Sequence, residues 1–228
     1  DSQKSRWLSA EDLVSLYLEE DQPPCLIDLS GGSPDLVPEW SVWMMEALEA
    51  AGLNEKTFLW TDDNLSTTYL FDRLSHEQLD RLQAYPNYGR VCCFKGYDSA
   101  SFTFNTRASE TDFERQFQIM RRLLTLDIDL YGYLTLTAQH DADLKANMSA
   151  FVDHLQELSE NLPLRIIPLR IGVYGPVEAR MTPERQRSLE VQEDAIACWL
   201  AELDARFTEQ DRTAQICEVS IKGRGTTT

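Results

Sequence analysis

Apolar residues along this chain follow two alternating patterns, which together predict strands connected by helices. Short apolar runs bounded by turn residues predict strands, whereas apolar residues repeated every three or four positions predict helices. The predicted strands cover residues 25–29, 57–61, 90–94, 130–137 and 164–173. Between the first two of them, Trp40, Trp43, Met44 and Leu48 recur at helical spacing, and we interpret this stripe as core packing.

Local signals predict where the helices begin and end. Ser, Thr and Pro at the first positions of a helix, with acid or amide residues shortly after, are typical of helix starts. Such starts are predicted at Ser9, Ser75, Thr111 and Thr182. Gly52 suits the position just after a helix. The chain after Phe207 contains Gly223 and Gly225 and is predicted to be frayed, which divides the chain into a domain at 1–207 and a tail at 208–228.

Strand and helix alternate five times, and this order predicts an α/β fold with a parallel sheet that is curved or closed. In such folds, ligands bind beyond the carboxyl ends of the strands. Polar and glycine residues concentrate in the five loops expected at that edge, which are 30–34, 62–66, 95–98, 137–141 and 172–180.

The first of these loops is Ser30-Gly31-Gly32-Ser33-Pro34, after the apolar run of Cys25 to Leu29, which predicts a buried strand. Adjacent glycines allow positive φ and let the backbone approach a ligand that side chains would exclude. Such a loop is either a tight turn between strand and helix or a ligand loop, and spacing alone favours the turn.

Gly31-Gly32-Ser33-Pro34 at a strand end resembles the Gly-Gly-Glu-Pro motif of the radical S-adenosylmethionine (SAM) superfamily. In that family the backbone of this loop holds the amino group of SAM. Ser33 replaces the usual glutamate, which removes one acceptor. The resemblance extends over most of the chain and implies a partial (β/α)6 TIM-like barrel, of which the first βα unit is absent from this chain.

Other segments resemble further parts of the family's cofactor site. Phe94-Lys95-Gly96-Tyr97-Asp98 resembles the activating-enzyme branch, which has a lysine near SAM, and Trp60 to Asn64 resembles the family's third strand end. The resemblance therefore implies cofactor contacts at Gly31, Gly32, Ser33, Pro34, Asp62, Asn64, Lys95, Thr135, Thr137 and Ile171. The alternatives stay open: Lys95 reaches solvent, residues 62–64 form a solvated acidic loop, and one of the two threonines only packs.

The family's defining Cys-x-x-x-Cys-x-x-Cys motif, which binds a 4Fe-4S cluster, does not occur here. Cys92 and Cys93 are adjacent, and the other three cysteines are isolated. One hypothesis places the first strand and the cluster loop upstream of Asp1. The implied activity is then that of a radical SAM enzyme, which receives an electron, cleaves SAM reductively and abstracts hydrogen from an unidentified small-molecule or protein substrate. Its catalytic residues are not identifiable from the sequence.

Two other function classes compete with this one. A non-catalytic α/β binding or partner module would have kept the barrel and lost the cluster. The hypothesis of a TIM-type isomerase or aldolase has less support, because the surrounding sequence does not identify a catalytic lysine or a catalytic pair of carboxylates. His140, Asp141 and Asp143 are either a metal site or an exposed acidic loop. Arg165 and Arg170 are either anion ligands or partners in outer salt bridges.

Charge and composition restrict the partners and the compartment. The net charge of −17 comes from 38 acidic and 21 basic residues and disfavours non-specific binding to nucleic acids or anionic membranes. No apolar run approaches the roughly 18–20 residues of a membrane span. The opening residues are polar, unlike a signal peptide, and the odd count of five cysteines lacks a disulfide-framework spacing. We therefore predict a cytoplasmic protein.

Overall fold

The computed structural model describes residues 6–140 and 142–221 and is an α/β protein with a five-stranded, all-parallel sheet. The strands are β1 (Leu26–Leu29), β2 (Phe58–Asp63), β3 (Tyr88–Phe94), β4 (Asp129–Thr135) and β5 (Ile166–Leu169). They are ordered β1-β2-β3-β4-β5, so each pairs with its neighbour in sequence. The predicted parallel α/β class is confirmed.

The helices fill the connections between the strands. They are α1 (Ala10–Leu18), α2 (Glu39–Ala50), α3 (Tyr69–Arg73), α4 (His76–Ala84), α5 (Ser99–Thr106), α6 (Phe113–Leu123), α7 (Leu144–Leu158), α8 (Gly175–Glu178), α9 (Pro183–Arg206) and α10 (Glu209–Thr213). Within the described ranges, no helix is both long enough and apolar enough to cross a membrane.

The chain forms two compact units. Unit 1 contains Asp1–Asp63, Thr67–Val91 and Leu126–Asp129, and unit 2 contains Asn64–Ser66, Cys92–Thr125 and Leu130–Thr228.

In unit 1, helices α1 and α4 begin where the sequence predicts. The Ser9 hydroxyl accepts a hydrogen bond from the Asp12 N–H at 3.1 Å, and the Asp12 carboxylate accepts one from the Ser9 N–H at 2.9 Å. Ser75 and Gln78 form the same reciprocal cap at the start of α4. Because both partners lie three positions apart, the cap is determined locally.

Helix α2 ends at the predicted glycine. Gly52 has φ 67°, its N–H donates to the Glu49 carbonyl, and the Leu53 N–H donates to the Leu48 carbonyl, both at 2.9 Å. This is a Schellman motif, which satisfies carbonyls that the helix leaves unpaired.

The tryptophan and methionine stripe of α2 is only partly core. Met44 and Leu48 are buried, whereas Trp43 is 48% exposed. Positions 43, 46 and 50 share one side of the helix, and all three are exposed. The prediction of core packing is therefore wrong for Trp43.

Strand β1 is at an edge of the sheet, which explains its exposure. Leu29 is buried, but Leu26 is 41% exposed and Cys25 is also exposed. Among the described strands it pairs with β2 alone, with Leu26 opposite Phe58 in the parallel register. The sequence analysis therefore predicts this strand correctly but is wrong that the strand is buried. An apolar run does not reveal whether a strand lies at the edge of a sheet.

Unit 2 contains a helix that the sequence analysis does not predict. Helix α5 is capped by Asp98, whose carboxylate accepts a hydrogen bond from the Ser101 N–H at 2.7 Å, while the Ser101 hydroxyl accepts one from the Asp98 N–H. The capping box predicted at Thr111 does not form. Instead, Ser109 caps a 3₁₀ turn at Glu110–Asp112, and α6 follows directly.

Aromatic side chains form much of the core of unit 2. The rings of Phe94 (β3), Phe117 (α6), Phe151 (α7) and Trp199 (α9) contact one another with centroids 5.6 to 6.3 Å apart. All four are buried. These contacts fix α6, α7 and α9 against the third strand.

Strand β5 is shorter than predicted, because Leu162–Arg165 form a 3₁₀ turn before it and Ile171 lies beyond its end. The chain after residue 207 is not frayed over its described part. Arg165 is buried, and its guanidinium donates to the carbonyls of Val219 at 2.7 Å and Cys217 at 3.0 Å. Gly223 and Gly225 lie outside the described residues.

Candidate functional site

The glycine loop, Ser30 to Pro34, follows the carboxyl end of β1 in unit 1. Gly31 has φ 92° and Gly32 has φ 122°, a backbone region that side chains disfavour. A Cβ placed on either glycine would meet no atom within 4 Å, so the space beside the loop is open. The positive φ values that the sequence suggests are present, and backbone groups here are accessible to a ligand.

The exit of this loop is anchored to α3 and the residues before it. Pro34 is buried and opens a 3₁₀ turn that ends at Leu36. The Thr67 hydroxyl donates to the Asp35 carbonyl at 3.3 Å, and the Arg73 guanidinium donates to the Leu36 carbonyl at 2.7 Å. The loop is therefore open beside its glycines and anchored at its exit. Ser33 lies between the glycines and this turn.

The end of β2 differs from the prediction. Asp62 and Asp63 belong to the strand, not to a polar loop, and Asp63 is only 2% exposed. Its carboxylate oxygen Oδ2 accepts hydrogen bonds from Arg90 Nε at 2.9 Å and Nη2 at 2.7 Å. Arg90, on the adjacent strand β3, is 1% exposed. The strand continues through two acids because a buried cation is opposite the second.

Two hydroxyl groups complete this buried cluster. Arg90 Nη1 donates to the Tyr88 hydroxyl at 3.2 Å and to the Thr61 hydroxyl at 3.4 Å, and these two hydroxyls lie 2.9 Å apart. Burial alone would lower the pKa of Arg90, but attraction by Asp63 and hydrogen bonds to Tyr88 and Asp63 outweigh it and raise the pKa. The guanidinium is therefore a permanent charge inside unit 1.

In unit 2, the carboxyl ends of β3 and β4 are joined by one half-buried side-chain amide. Asn105 Nδ2 of α5 donates to the carbonyls of Lys95 at 2.8 Å and Thr137 at 2.9 Å. The Thr137 hydroxyl donates to Asn105 Oδ1 at 2.7 Å. Two predicted cofactor residues are thus brought together by a third residue that the sequence analysis missed. The Lys95 ammonium makes no hydrogen bond or ion pair with the part of the chain described here.

The chain after β5 is held in a similar way. Gln192 of α9 is 1% exposed, and its side-chain amide accepts from the Ile171 N–H at 2.8 Å and donates to the Ile171 carbonyl at 3.1 Å. Gln116 of α6 accepts from the Lys95 N–H at 2.7 Å. One half-buried asparagine and two buried glutamines, on three helices, therefore hold three consecutive strand ends. No local sequence pattern marks this role.

The remaining predicted residues lie at their expected ends of strands. Thr135 ends β4 and is 8% exposed. Asn64 follows β2 and precedes Leu65, which has φ 51°. Asp62 is the second-last residue of β2 and is partly exposed.

Beyond the ends of β4 and β5, unit 2 contains a cavity of about 170 Å³, which we name the α5–α9 cavity. Its walls include Phe104 and Asn105 of α5, Thr137, residues 171–173, and Arg185 and Leu189 of α9. Thr137 and Ile171, two of the predicted cofactor residues, therefore line the same cavity.

The other candidate residues make structural contacts or are exposed. Arg165 is occupied by backbone carbonyls, and exposed Arg170 pairs with Glu193 at 2.8 Å, as expected of an outer salt bridge. His140 is exposed, and Asp143 has φ 57° just before α7. Asp141 lies outside the described residues.

Among residues 6–140 and 142–221, no three His, Cys, Asp or Glu side chains are grouped so as to hold a metal ion. Cys92 and Cys93 are buried in β3, Cys198 is partly exposed, and Cys25 and Cys217 are exposed. None of these five cysteines forms a disulfide within the described residues.

Comparison with known proteins adds no family assignment. No model of a protein family matches the chain, and no curated protein matches it significantly.

Proposed function

We propose that this chain forms the β/α part of a radical SAM enzyme and that the glycine loop holds the amino end of SAM. The observation that carries the proposal is the pair Gly31 and Gly32, which have positive φ on an open loop at the carboxyl end of a parallel strand. That is the position at which parallel α/β folds bind ligands.

The backbone of the loop supplies what an ammonium group requires. Carbonyl groups that no side chain covers accept hydrogen bonds from a charged donor, and such bonds are stronger than neutral ones. The buried turn that begins at Pro34 holds these groups in place before the ligand arrives, which lowers the entropic cost of binding. In unit 2, the ammonium of Lys95 makes no hydrogen bond or ion pair with the described residues and is available for an anionic group.

The 4Fe-4S cluster and SAM together supply reductive cleavage of SAM and hydrogen abstraction from a substrate. The described residues offer no ligand group for the cluster. In a radical SAM enzyme, the cluster's cysteine ligands and an electron donor would therefore have to come from residues or proteins other than those described. The chain's own contribution is to bind and orient SAM and to exclude water from it.

We also propose that the sheet is part of a (β/α)6 barrel and that the protein is cytoplasmic. The sequential order of five parallel strands supports this, because each strand of such a barrel also pairs with its neighbours in sequence.

The proposal is tested by a SAM titration of the purified chain, followed by saturation-transfer NMR. We expect SAM to bind and Gly32→Ala to weaken binding by about tenfold, since an L side chain at this φ costs about 1–3 kcal/mol unless the loop moves. Gly52→Ala is the matched control. Gly52 also has positive φ and open space around its Cβ position, but it caps α2.

The competing function is a non-catalytic binding or partner module. The observation that favours it is that the polar groups of Thr137 and Ile171 are already paired with Asn105 and Gln192. This second function is the better account if SAM does not bind. It is also the better account if Gly32→Ala binds SAM as tightly as the unchanged chain and the Gly52→Ala control do.

A further inference from the structure

The α5–α9 cavity presents both polar and apolar surface, with slightly more apolar than polar. Phe104, Ile171, Met181 and Leu189 contribute to its walls, and Ile171 is 39% exposed. Its volume of about 170 Å³ slightly exceeds the roughly 150 Å³ of an engineered protein cavity that holds benzene. The cavity therefore has room for an apolar group of about six carbon atoms.

The side-chain amide and hydroxyl groups in its walls are occupied by hydrogen bonds within unit 2. Both amide hydrogens of Asn105 are donated to carbonyls, and its oxygen accepts from the Thr137 hydroxyl. The Ser188 hydroxyl donates to the Arg185 carbonyl at 2.8 Å, and Gln192 occupies the backbone of Ile171. A ligand that depends on hydrogen bonds to amide or hydroxyl side chains would therefore find few free partners of that kind here.

The Arg185 guanidinium is the exception. Arg185 is an exposed residue among those that line the cavity, and its guanidinium makes no hydrogen bond or ion pair with any residue in the described ranges. The surrounding segment is also cationic in an otherwise acidic protein, because residues 170–187 contain four arginines and two glutamates. An arginine fork binds a carboxylate through two parallel hydrogen bonds.

We propose that the α5–α9 cavity binds a small organic carboxylate, with an apolar body of about six carbons inside the cavity and the carboxylate on Arg185. One guanidinium balances the single charge of a carboxylate, whereas a phosphate monoester carries about −1.5 to −2 at pH 7. That this carboxylate is the substrate of the proposed enzyme rests on the proposed function. The binding of the carboxylate can be measured independently of that function.

The test is calorimetric titration of the full chain with sodium benzoate, with benzamide as the neutral isostere and phenyl phosphate as the alternative anion. We expect benzoate to bind at least tenfold more tightly than benzamide or phenyl phosphate. Arg185→Gln should weaken benzoate binding at least tenfold and leave benzamide unchanged. Arg187→Gln is the matched control, since it removes the same charge two residues further along α9, outside the cavity walls, and should leave benzoate binding unchanged.

Four results would overturn the proposal. They are no binding of benzoate, equal binding by the Arg185→Gln variant, equal affinity for benzamide, and tighter binding of phenyl phosphate. Competition between SAM and benzoate would also overturn it, because the cavity would then belong to the cofactor. Failure of SAM to bind, with benzoate binding through Arg185, would remove the proposed function and leave the carboxylate site.

Discussion

The buried pair of Asp63 and Arg90 gives the sharpest prediction about stability. Asp63→Asn preserves the shape of the side chain and removes its charge, so the Arg90 guanidinium stays buried without a counterion. Arg90 is 1% exposed, and Asp63 accepts two of its hydrogen bonds at 2.9 and 2.7 Å. Only the hydroxyls of Thr61 and Tyr88 would remain as unchanged partners, and neither carries a charge.

The expected size of the effect follows from this burial. Removing one partner of a buried ion pair costs about 3–5 kcal/mol, and the amide oxygen of asparagine still accepts a hydrogen bond, so we expect about 3 kcal/mol. Glu49→Gln is the control, because Glu49 pairs with Arg81 on the surface, with side chains 41% and 39% exposed. An exposed pair contributes about 0–1 kcal/mol.

The assay is urea denaturation of the two variants, with hydrogen exchange of the β2 and β3 amides as a direct probe of unit 1. Exchange is needed because a chain of two units need not unfold in one step. The double variant Asp63→Leu, Arg90→Met should recover most of the loss, since apolar side chains require no counterion. If Asp63→Asn costs no more than Glu49→Gln, the buried charge is not what fixes these strands and the reasoning is wrong.

Two further predictions concern groups outside this pair. Gln192→Ala should destabilise the chain by about 1–3 kcal/mol in thermal denaturation and speed hydrogen exchange of the Ile171 amide, whose partner it removes; unchanged exchange would contradict this. Burial, reinforced by Glu49 and Glu55, raises the pKa of Tyr85 to about 12, and among the described residues its hydroxyl has no hydrogen-bond partner. Because the unfolded phenol titrates near pH 10, stability should fall between about pH 10 and pH 12. Tyr85→Phe should remove this part of the pH dependence, and a variant with the same fall would refute the assignment.

Features determined by neighbouring residues could be predicted from the sequence. The caps at Ser9 and Ser75 depend on a residue three positions away, and Gly52 and the glycine loop depend on backbone conformations that favour glycine. The alternation of strands and helices was enough to predict a parallel sheet.

Features determined by distant residues could not be predicted. Asp63 looks like a loop acid until Arg90, 27 residues later, is placed beside it. A charge inside the run Arg90-Val91-Cys92-Cys93-Phe94 was the available signal of a buried partner. Asn105 and Gln192 act through contacts across the fold, so no pattern around either residue reveals its role. Helix α5 was missed because Ser, Thr, Phe and Asn are weak helix formers.

The central claim is that the glycine loop binds the amino end of SAM, and amide chemical shifts test it most directly. In a ¹⁵N-labelled sample of the chain, titration with SAM should move the resonances of Gly31, Gly32 and Ser33 progressively and to saturation. Methylthioadenosine, which lacks the amino acid part of SAM, should leave those three resonances in place. Resonances of the loop that stay unmoved by SAM, or that move equally with both compounds, would contradict the account.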